Sequence, residues 1–321
     1  MTESFHHVPV LTRQVLTVLQ PHTGGIYVDG TLGGAGHAAL LLAASAPDGF
    51  LFGIDRDQEA LAAAEAHLQP FAGRFCLVHG NYANMAALAA AAGITAADGI
   101  LLDIGVSSHQ LDEAGRGFSY QQDAPLDMRM DQSGGESAAE LINSRSQEEL
   151  TQILYTYGEE RWAARIAAFI VEARQQRPIV TTGQLVDIIR RAIPRAAREA
   201  DQHPAKRTFQ AIRIAVNGEL EALQQGLDAA VELLAPGGVL AVITFHSLED
   251  RMVKERFRYH AAGCICPPHQ PVCTCGHQAL VKLINRKPLT ADAEELAENP
   301  RSRSARLRAV VRLAPGAGKT R

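Results

Sequence analysis

The chain has 321 residues, of which 46% are apolar and 21% are charged, and its formal net charge is −4. This composition provides a full hydrophobic core and excludes wholesale disorder. The first thirty residues show no signal-peptide pattern, and no apolar run reaches the ~18–20 residues that cross a bilayer, so we expect a cytoplasmic protein without a membrane segment.

The first elements form a strand, turn and helix pattern. An apolar stretch ends on Asp29 and is followed by a glycine-rich turn, and a second apolar stretch ends on Asp55. Only glycine lets a backbone approach a ligand so closely, and an acid about twenty residues past the turn is placed to accept hydrogen bonds from ribose hydroxyls. The pattern predicts a site for a cofactor that contains a nucleoside.

The glycines alone leave two cofactors open. Gly34, Gly36 and Ala39 fit the loose G-x-G-x-x-[GA] pattern of dinucleotide enzymes, so a nicotinamide-dependent oxidoreductase is one alternative. Asp29 favours S-adenosylmethionine, because a carboxylate there would pair with the methionine ammonium and repel a pyrophosphate. Preferential binding of one cofactor would separate the two alternatives.

Strands and helices alternate along the first hundred residues, as in a parallel α/β sheet. A polar loop and a purely helical stretch follow, and the α/β pattern then resumes. Predicted strands lie at 26–29, 50–54, 74–78, 99–103, 239–245, 279–284 and 305–312, with helices at 36–45, 57–68, 83–92, 208–234 and 248–257. We therefore predict one discontinuous α/β domain, formed by 1–110 and 216–321, that is interrupted by a helical insertion at 111–215.

Two local patterns support the insertion. Capping boxes at Ser137–Glu140, Ser146–Glu149 and Thr181–Gln184 predict helix starts. An apolar stripe at helical spacing indicates a core-facing helix, and its members are Trp162, Ile166, Phe169, Ile170 and Ala173.

Basic residues are concentrated in two segments of this acidic chain. From Arg161 to Arg213 there are eleven Lys or Arg against four acids, and from Lys282 to Arg321 there are ten against four. Such a distribution predicts a phosphate-facing surface, although exposed arginines on helices are also common without a ligand.

Polar residues follow the strands near Asp103 and near Phe245, at the sheet edge where α/β folds bind ligands. We expect the substrate to lie between these two loops. Asp103, His109 and His246 are candidates for proton handling, and a structural role for His246 stays open. A Ser-His-Asp hydrolase is not favoured, because no Gly-x-Ser-x-Gly elbow follows a strand.

Four of the five cysteines form two C-x-C pairs, Cys264 with Cys266 and Cys273 with Cys275. Structural zinc is an open possibility, although C-x-C is tighter than the usual pair spacing. Catalytic zinc is not expected, since four cysteines leave no open coordination position, and we assign no metal ligand to the reaction.

The chain resembles the bacterial 16S ribosomal RNA cytosine-N4-methyltransferases, the MraW family, from about residue 6 to residue 312. The motifs that carry the resemblance are His7–Val10, Asp29–His37, Asp103–Gln110, Arg116–Phe118, Asp123–Asp131, Tyr157–Glu160, His203–Gln210, Phe245–Arg251 and Asn299–Ser304. The resemblance implies a Rossmann-like class I S-adenosylmethionine-dependent methyltransferase with a helical insertion domain. It also implies methylation of a cytidine N4 in the decoding region of 16S rRNA in the small ribosomal subunit. The sequence leaves open whether naked RNA, a folded subunit or an assembly intermediate is the substrate.

The resemblance further implies roles for individual residues. The cofactor-binding residues are Gly34, Ala35, Gly36 and His37 at the methionine end, Asp55 at the ribose, Tyr82 at the adenine, and Asp103 and Gln110, which complete the pocket. The catalytic candidates are Asp103, Ser108 and His246. Phe118, Tyr120 and Phe245 are candidates for stacking on the base, and the insertion is the predicted RNA-recognition domain.

Three questions stay open in the sequence. A DNA amino-methyltransferase performs the same chemistry, but its Asp/Asn-Pro-Pro-aromatic tetrad is absent here. A non-catalytic ribosome-assembly factor could keep the fold, although the acids at the three strand ends argue against a dead pocket. The sequence also leaves open a homodimer.

Overall fold

The computed structural model describes residues 9–198, 203–267, 270 and 272–316. The chain divides into two compact units, and we call them the sheet unit (Met1–Gly105 with Leu220–Arg321) and the helical unit (Val106–Glu219). These limits lie within a few residues of the predicted ones, and the functional assignment of each part stays a prediction.

The sheet unit contains seven strands in the order β3-β2-β1-β4-β5-β7-β6. The strands are β1 (Ile26–Asp29), β2 (Phe50–Asp55), β3 (Phe75–His79), β4 (Ala97–Asp103), β5 (Leu234–Thr244), β6 (Val281–Leu283) and β7 (Arg306–Arg312). The first five are parallel to one another, and β7 is antiparallel to both β5 and β6. The predicted Rossmann-like α/β fold is confirmed.

The helices of the described chain are α1 (Thr12–Leu19), α2 (Gly36–Ala44), α3 (Gln58–Leu68), α4 (Met85–Ala91), α5 (Ser108–Asp112), α6 (Ala138–Ser144), α7 (Gln147–Gly158), α8 (Ala163–Gln176), α9 (Thr182–Ala192), α10 (Lys206–Asn217), α11 (Glu219–Leu233), α12 (Ser247–Ala261) and α13 (Ala293–Glu298). Within the described ranges, none of them combines the length and the apolar character that a membrane span requires.

Apolar residues cover both faces of the sheet, because successive side chains of a strand point to opposite sides. Phe52 and Val242 belong to one buried cluster, whereas their chain neighbours Leu51 and Ile243 belong to the other. This double burial explains why the strands are continuous apolar runs rather than alternating ones.

The parallel register brings the ends of the strands to one edge. Asp29 pairs with Gly53 and Leu101, and Asp103 pairs with Ile243. The polar residues that follow β1, β2, β4 and β5 therefore meet at the carboxyl edge of the sheet, where folds of this kind bind ligands.

The helical unit has its own hydrophobic core. Capping boxes begin α6, α7 and α9 at Ser137, Ser146 and Thr181, so the three predicted helix starts are confirmed. The predicted stripe on α8 also faces this core, because Ile166 and Ile170 are fully buried.

Three predictions of local structure were wrong. The predicted helix 208–234 is two helices, because Gly218 takes a left-handed φ of +58° and ends α10. The segment after Asp103, predicted as a loop, contains the short helix α5. The strand predicted from residue 239 begins at Leu234, with a register irregularity opposite Ala97 and Gly99.

Candidate functional site

The glycine turn, which we define as residues 30–35 between β1 and α2, joins β1 through its first residues to the strands on either side. The backbone N–H of Gly30 donates to the carbonyl of Leu101 at 3.0 Å, and that of Leu32 donates to the carbonyl of Ile54 at 3.1 Å. A Cβ at Gly30 would lie 2.5 Å from a methyl of Leu102. Glycine at position 30 is thus required by packing against β4.

The second half of the turn leads into α2 through a strained residue. Ala35 is fully buried and takes a left-handed φ of +61°, a conformation that is costly for a residue with a Cβ. The carbonyl of Gly34 accepts a hydrogen bond from Nδ1 of His67 at 2.9 Å, and a Cβ at Gly36 would lie 3.1 Å from the Pro9 ring. Contacts with His67 and Pro9 therefore fix the position of the turn.

Asp55, at the end of β2, holds the same turn. Its Oδ2 accepts a hydrogen bond from the backbone N–H of Gly33 at 2.7 Å, and its Oδ1 accepts one from the backbone N–H of Asp57 at 2.9 Å. Burial raises the pKa of Asp55, and the backbone N–H donors partly offset that effect. This side chain fixes the position of the turn beside which the sequence predicts a ribose.

Asp29, which is buried, and Asp103, which is half-buried, form an acidic pair at the ends of β1 and β4. Burial raises the pKa of Asp29 to about 7, and burial together with the charges of Asp29 and Glu249 raises the pKa of Asp103 to about 8. The two loops are tied together, because Oγ1 of Thr31 accepts a hydrogen bond from the backbone N–H of Asp103 at 2.6 Å. Such a group of carboxylates favours a cationic ligand.

His37 lies next to this pair. Its Nε2 is 3.6 Å from Oδ2 of Asp103, and only 6% of its surface is exposed. The other carboxylate oxygen of Asp103, Oδ1, is buried and accepts no hydrogen bond from the described part of the chain. Of the predicted site residues, the structure therefore brings together those of the glycine turn, His37, Asp55 and Asp103.

His246 contacts Glu249, which supports the structural role that the sequence left open. It begins α12, and its Nδ1 accepts a hydrogen bond from the backbone N–H of Glu249 at 3.4 Å. Its Nε2 lies 2.9 Å from Oε1 of Glu249, whose Oε2 accepts from the backbone N–H groups of Phe245 and His246. The histidine thus fixes the loop after β5, and direct participation in the reaction stays a prediction.

Three predicted site residues have other surroundings. Tyr82 packs on α11, since a Cβ at Gly226 would collide with its ring. Gln110 belongs to the helical unit and is buried, and its Oε1 accepts a hydrogen bond from the backbone N–H of Ser107, which closes the capping box of α5. The side chain of Ser108 lies outside the described structure. The roles of all three stay predictions.

Thr31 and Glu249 are site residues that the sequence does not predict. Thr31 follows the first glycine of the turn directly, and a hydroxyl at that place can join two loops. Glu249 stands three residues after His246, which is the capping-box spacing, and only 1% of it is exposed. The usual capping-box pattern begins with Ser or Thr, so a box that begins with His246 does not match it.

The helical unit presents two concave surfaces: the larger is lined by three arginines and three acids (Asp123, Glu172 and Asp187), and the smaller has an excess of basic residues. The larger, of about 770 Å³, is lined in part by Tyr120, Arg177, Arg190 and Arg191, and all three arginines are exposed. The smaller, of about 120 Å³, is lined by Glu160, Arg161, Trp162, Ile193, Ala197, Arg198, His203, Pro204 and Arg207.

An aromatic pair joins the two concave surfaces. The ring of Tyr120, from the larger surface, stacks on His203, from the smaller one, with centroids 4.5 Å apart and planes 8° from parallel. A guanidinium nitrogen of Arg190 lies 3.2 Å from Nε2 of His203. Phe118 is the other predicted stacking residue in this unit, and it is buried in the core. Of these two, Tyr120 is therefore the residue that a base can reach.

Two arginines of the predicted phosphate-facing segments form ion pairs within the protein. Arg213 forms two hydrogen bonds of 2.7 Å to Glu219. Arg308 lies on β7, is 8% exposed and binds Asp250 through Nε and Nη2. The prediction that the basic segment from Lys282 to Arg321 faces phosphates is therefore wrong for Arg308.

The four clustered cysteines converge. The sulfur atoms of Cys264, Cys266, Cys273 and Cys275 all lie within 4.8 Å of one another. Their thiols are ligands that could hold a soft metal ion.

Known sequences match this chain over nearly its whole length. A sequence model of the MraW methylase family matches residues 4–313. Ribosomal RNA small subunit methyltransferase H of Citrifermentans bemidjiense is 58% identical over 311 residues, which cover 97% of this chain and 100% of that protein. The protein of the same name from Symbiobacterium thermophilum is 57% identical over 313 residues, with 98% of each chain covered. A solved structure of an rRNA methylase from Streptococcus thermophilus aligns with a TM-score of 0.41 at 9% identity and covers 98% of this chain and 99% of that one.

Proposed function

Because this chain belongs to the MraW methylase family, we propose that it transfers a methyl group from S-adenosylmethionine to the exocyclic N4 of a cytidine in 16S rRNA. The relatives named for ribosomal RNA small subunit methylation support the substrate class. The observation that carries the proposal is the acidic pair of Asp29 and Asp103, with their raised pKa values, beside a turn that contains a strained residue, Ala35.

The residues present fit this cofactor. S-adenosylmethionine supplies a reactive methyl group on a positively charged sulfonium. Asp29 and Asp103 provide the negative charge that suits a sulfonium and an ammonium, whereas a pyrophosphate would be repelled at the same place. Asp55 is placed to accept hydrogen bonds from ribose hydroxyls. These charges disfavour the nicotinamide alternative.

Asp103 is the residue that we assign to the acceptor amine. The lone pair of a cytosine amine is delocalised into the ring, so the nitrogen is a poor nucleophile. A carboxylate that accepts a hydrogen bond from the amine returns electron density to N4 and takes up the proton that the methylated amine loses. The side chain of Asp103 is 18% exposed, so a ligand can reach it, and its Oδ1 accepts no hydrogen bond within the described residues.

His246 and Glu249 act through the loop that they hold. Glu249 accepts two backbone hydrogen bonds at Phe245 and His246, so it fixes the backbone at the end of β5 from which the Phe245 side chain extends. A ring at that edge can stack on a base that has left its helix, which is worth roughly 1–3 kcal/mol per base. We assign His246 to positioning and Phe245 to base contact.

The helical unit holds the RNA. Exposed Arg177, Arg190 and Arg191 line its larger concave surface, and guanidinium groups bind phosphates with strong charge-assisted hydrogen bonds. The stacked pair of Tyr120 and His203 adds an aromatic surface for an unpaired base. A cytidine of the decoding region within the small subunit, and with it a cytoplasmic location, completes the proposal, and a homodimer stays a prediction.

A comparison of acceptors tests the proposal. Labelled methyl transfer from S-adenosylmethionine is measured with small ribosomal subunits, free 16S rRNA and double-stranded DNA, and NAD binding is measured in parallel. Transfer to a ribosomal acceptor without transfer to DNA supports the proposal. Methylation of DNA, or a preference for NAD over S-adenosylmethionine, would contradict it.

A further inference from the structure

The segment between α12 and β6 carries four cysteines outside the methyl-transfer site. The sulfur–sulfur distances are 3.4 Å for Cys264–Cys273, 3.5 Å for Cys273–Cys275, 3.8 Å for Cys264–Cys275 and 3.9 Å for Cys266–Cys273. A disulfide bond is about 2.05 Å long. All four side chains are free thiols, so their convergence has another cause.

The distances match a tetrahedron of sulfur ligands around one ion. Four thiolates at about 2.3 Å from a tetrahedral zinc ion lie about 3.8 Å from one another. Four of the six sulfur–sulfur distances, 3.4 to 3.9 Å, lie close to this value, and the other two are within 4.8 Å. The tight C-x-C spacing, unusual in the sequence, therefore still permits tetrahedral geometry.

Backbone N–H groups point at the sulfur atoms. Cys264 Sγ accepts from the N–H of Cys266 at 3.4 Å, and Cys275 Sγ accepts from Ile265 at 3.5 Å and from His277 at 3.4 Å. Such donors stabilise thiolates and orient them toward a metal. Several thiolates at these separations would repel one another strongly without a cation between them.

The described residues of the cysteine segment have little apolar packing of their own. Val272 is 71% exposed and Ile265 is 47% exposed. The segment is attached to α12 by the hydrogen bond from the N–H of Leu280 to the carbonyl of His260 and by the contact of His277 with Tyr259. A metal ion would provide the order that a hydrophobic core provides elsewhere.

We propose that Cys264, Cys266, Cys273 and Cys275 bind one structural zinc ion. Four thiolates saturate a tetrahedral ion and leave no position for water or substrate, so the ion orders the connection between α12 and β6 and takes no part in methyl transfer. Tetrahedral sulfur ligation suits zinc or iron, and metal analysis separates the two.

Metal content measured on the full chain tests the site. The protein is purified under reducing conditions without chelator, and zinc and iron are quantified by mass spectrometry for the wild type, Cys273→Ser and Cys76→Ser. Cys76 lies on β3, away from the cluster in sequence, and serves as the matched control. We expect one zinc ion per chain in the wild type and in Cys76→Ser, and well below one in Cys273→Ser.

A second measurement covers the case in which the Cys273→Ser variant does not fold. The wild type is loaded with Co²⁺ in place of zinc, and its absorption spectrum is recorded. Thiolate-to-cobalt charge transfer and intense visible bands are expected of a tetrahedral four-sulfur site. Equal zinc in Cys273→Ser and wild type, iron in place of zinc, or a wild type that binds neither zinc nor Co²⁺ would overturn the proposal.

Discussion

The imidazole of His37 lies 3.6 Å from the carboxylate of Asp103, across the gap between the start of α2 and the end of β4. The two residues are 66 positions apart in the chain, and the parallel register brings them together. Burial together with the negative charges of Asp29 and Glu249 holds the pKa of Asp103 at about 8. The carboxyl edge of the sheet thus combines unfavourable charge with fixed geometry, as expected of a functional site.

Asp103→Asn should stabilise the protein at alkaline pH. The pKa of Asp103 is about 8 in the folded chain, against an ordinary value of 3.8. Between pH 3.8 and pH 8 the folded state therefore binds more protons than the unfolded state, and the free energy of unfolding falls as the pH rises. The Asn side chain does not titrate, so the variant does not lose this stability. At pH 8.5 we expect its melting temperature to exceed that of the wild type by several degrees, at about 2–4 °C per kcal/mol.

Asp123→Asn provides the control of opposite sign. Hydrogen bonds from Thr181 and Gly183 lower the pKa of Asp123, so its contribution to stability is present above the ordinary pKa and is lost as pH falls. This variant should melt lower than the wild type at pH 8.5. A decrease of the melting temperature at pH 8.5 in Asp103→Asn as well would contradict the account of the acidic pair.

Affinity for S-adenosylmethionine should increase with pH. Between pH 6.0 and 7.5 the carboxylate of Asp29, with a pKa of about 7, becomes charged and attracts the cationic cofactor. We expect the dissociation constant to fall about tenfold across this range. The range lies below the pKa of a free α-amino group, so the ammonium of the cofactor stays charged throughout. Titration calorimetry measures it, and Asp29→Asn should bind more weakly with a flatter pH profile. A wild-type affinity independent of pH would argue against this assignment.

Two glycines of the turn should differ in their tolerance of alanine. A Cβ at Gly30 would lie 2.5 Å from Leu102 and 3.1 Å from Tyr82, whereas at Gly33, where φ is +50°, it would meet nothing closer than 3.9 Å. Gly30→Ala overpacks the core and should cost about 1–3 kcal/mol. Gly33→Ala should cost about 1 kcal/mol, from backbone strain alone. Chemical denaturation compares them, and equal losses would show that packing does not select Gly30.

The arginines of the larger concave surface should determine the salt dependence of RNA binding. Replacement of Arg177, Arg190 and Arg191 by alanine should lower affinity for 16S rRNA and reduce the slope of log affinity against log salt by about 0.7 for each phosphate that is no longer neutralised. Arg145→Ala is the matched control, because that arginine is paired with Glu136 at 2.6 Å. An unchanged slope in the triple variant would exclude the larger concave surface from the RNA interface.

The sequence predicted those parts of the fold that depend on local pattern. Strand ends such as Asp29, Asp55 and Asp103 are visible because a buried apolar run stops at a polar residue, and the Ser and Thr capping boxes mark helix starts. Gly218 was overlooked because helical periodicity continues on both sides of it, and only its left-handed backbone ends α10.

Side-chain pairing over long sequence distances was not accessible in the same way. Nothing local distinguishes Arg308, which binds Asp250, from an exposed arginine such as Arg191. The partnership of His246 with Glu249 had a local signal, but one that the rule for small capping residues does not include. The convergence of the cysteine sulfur atoms likewise needed three-dimensional coordinates.

Identification of the methylated nucleoside tests the central claim most directly. Small ribosomal subunits are incubated with labelled S-adenosylmethionine and either the wild type or Asp103→Asn, and the RNA is digested and analysed by mass spectrometry. We expect N4-methylcytidine with the wild type and its loss with Asp103→Asn, while the variant stays folded. A different methylated nucleoside, or N4-methylcytidine at the wild-type rate with Asp103→Asn, would contradict the account.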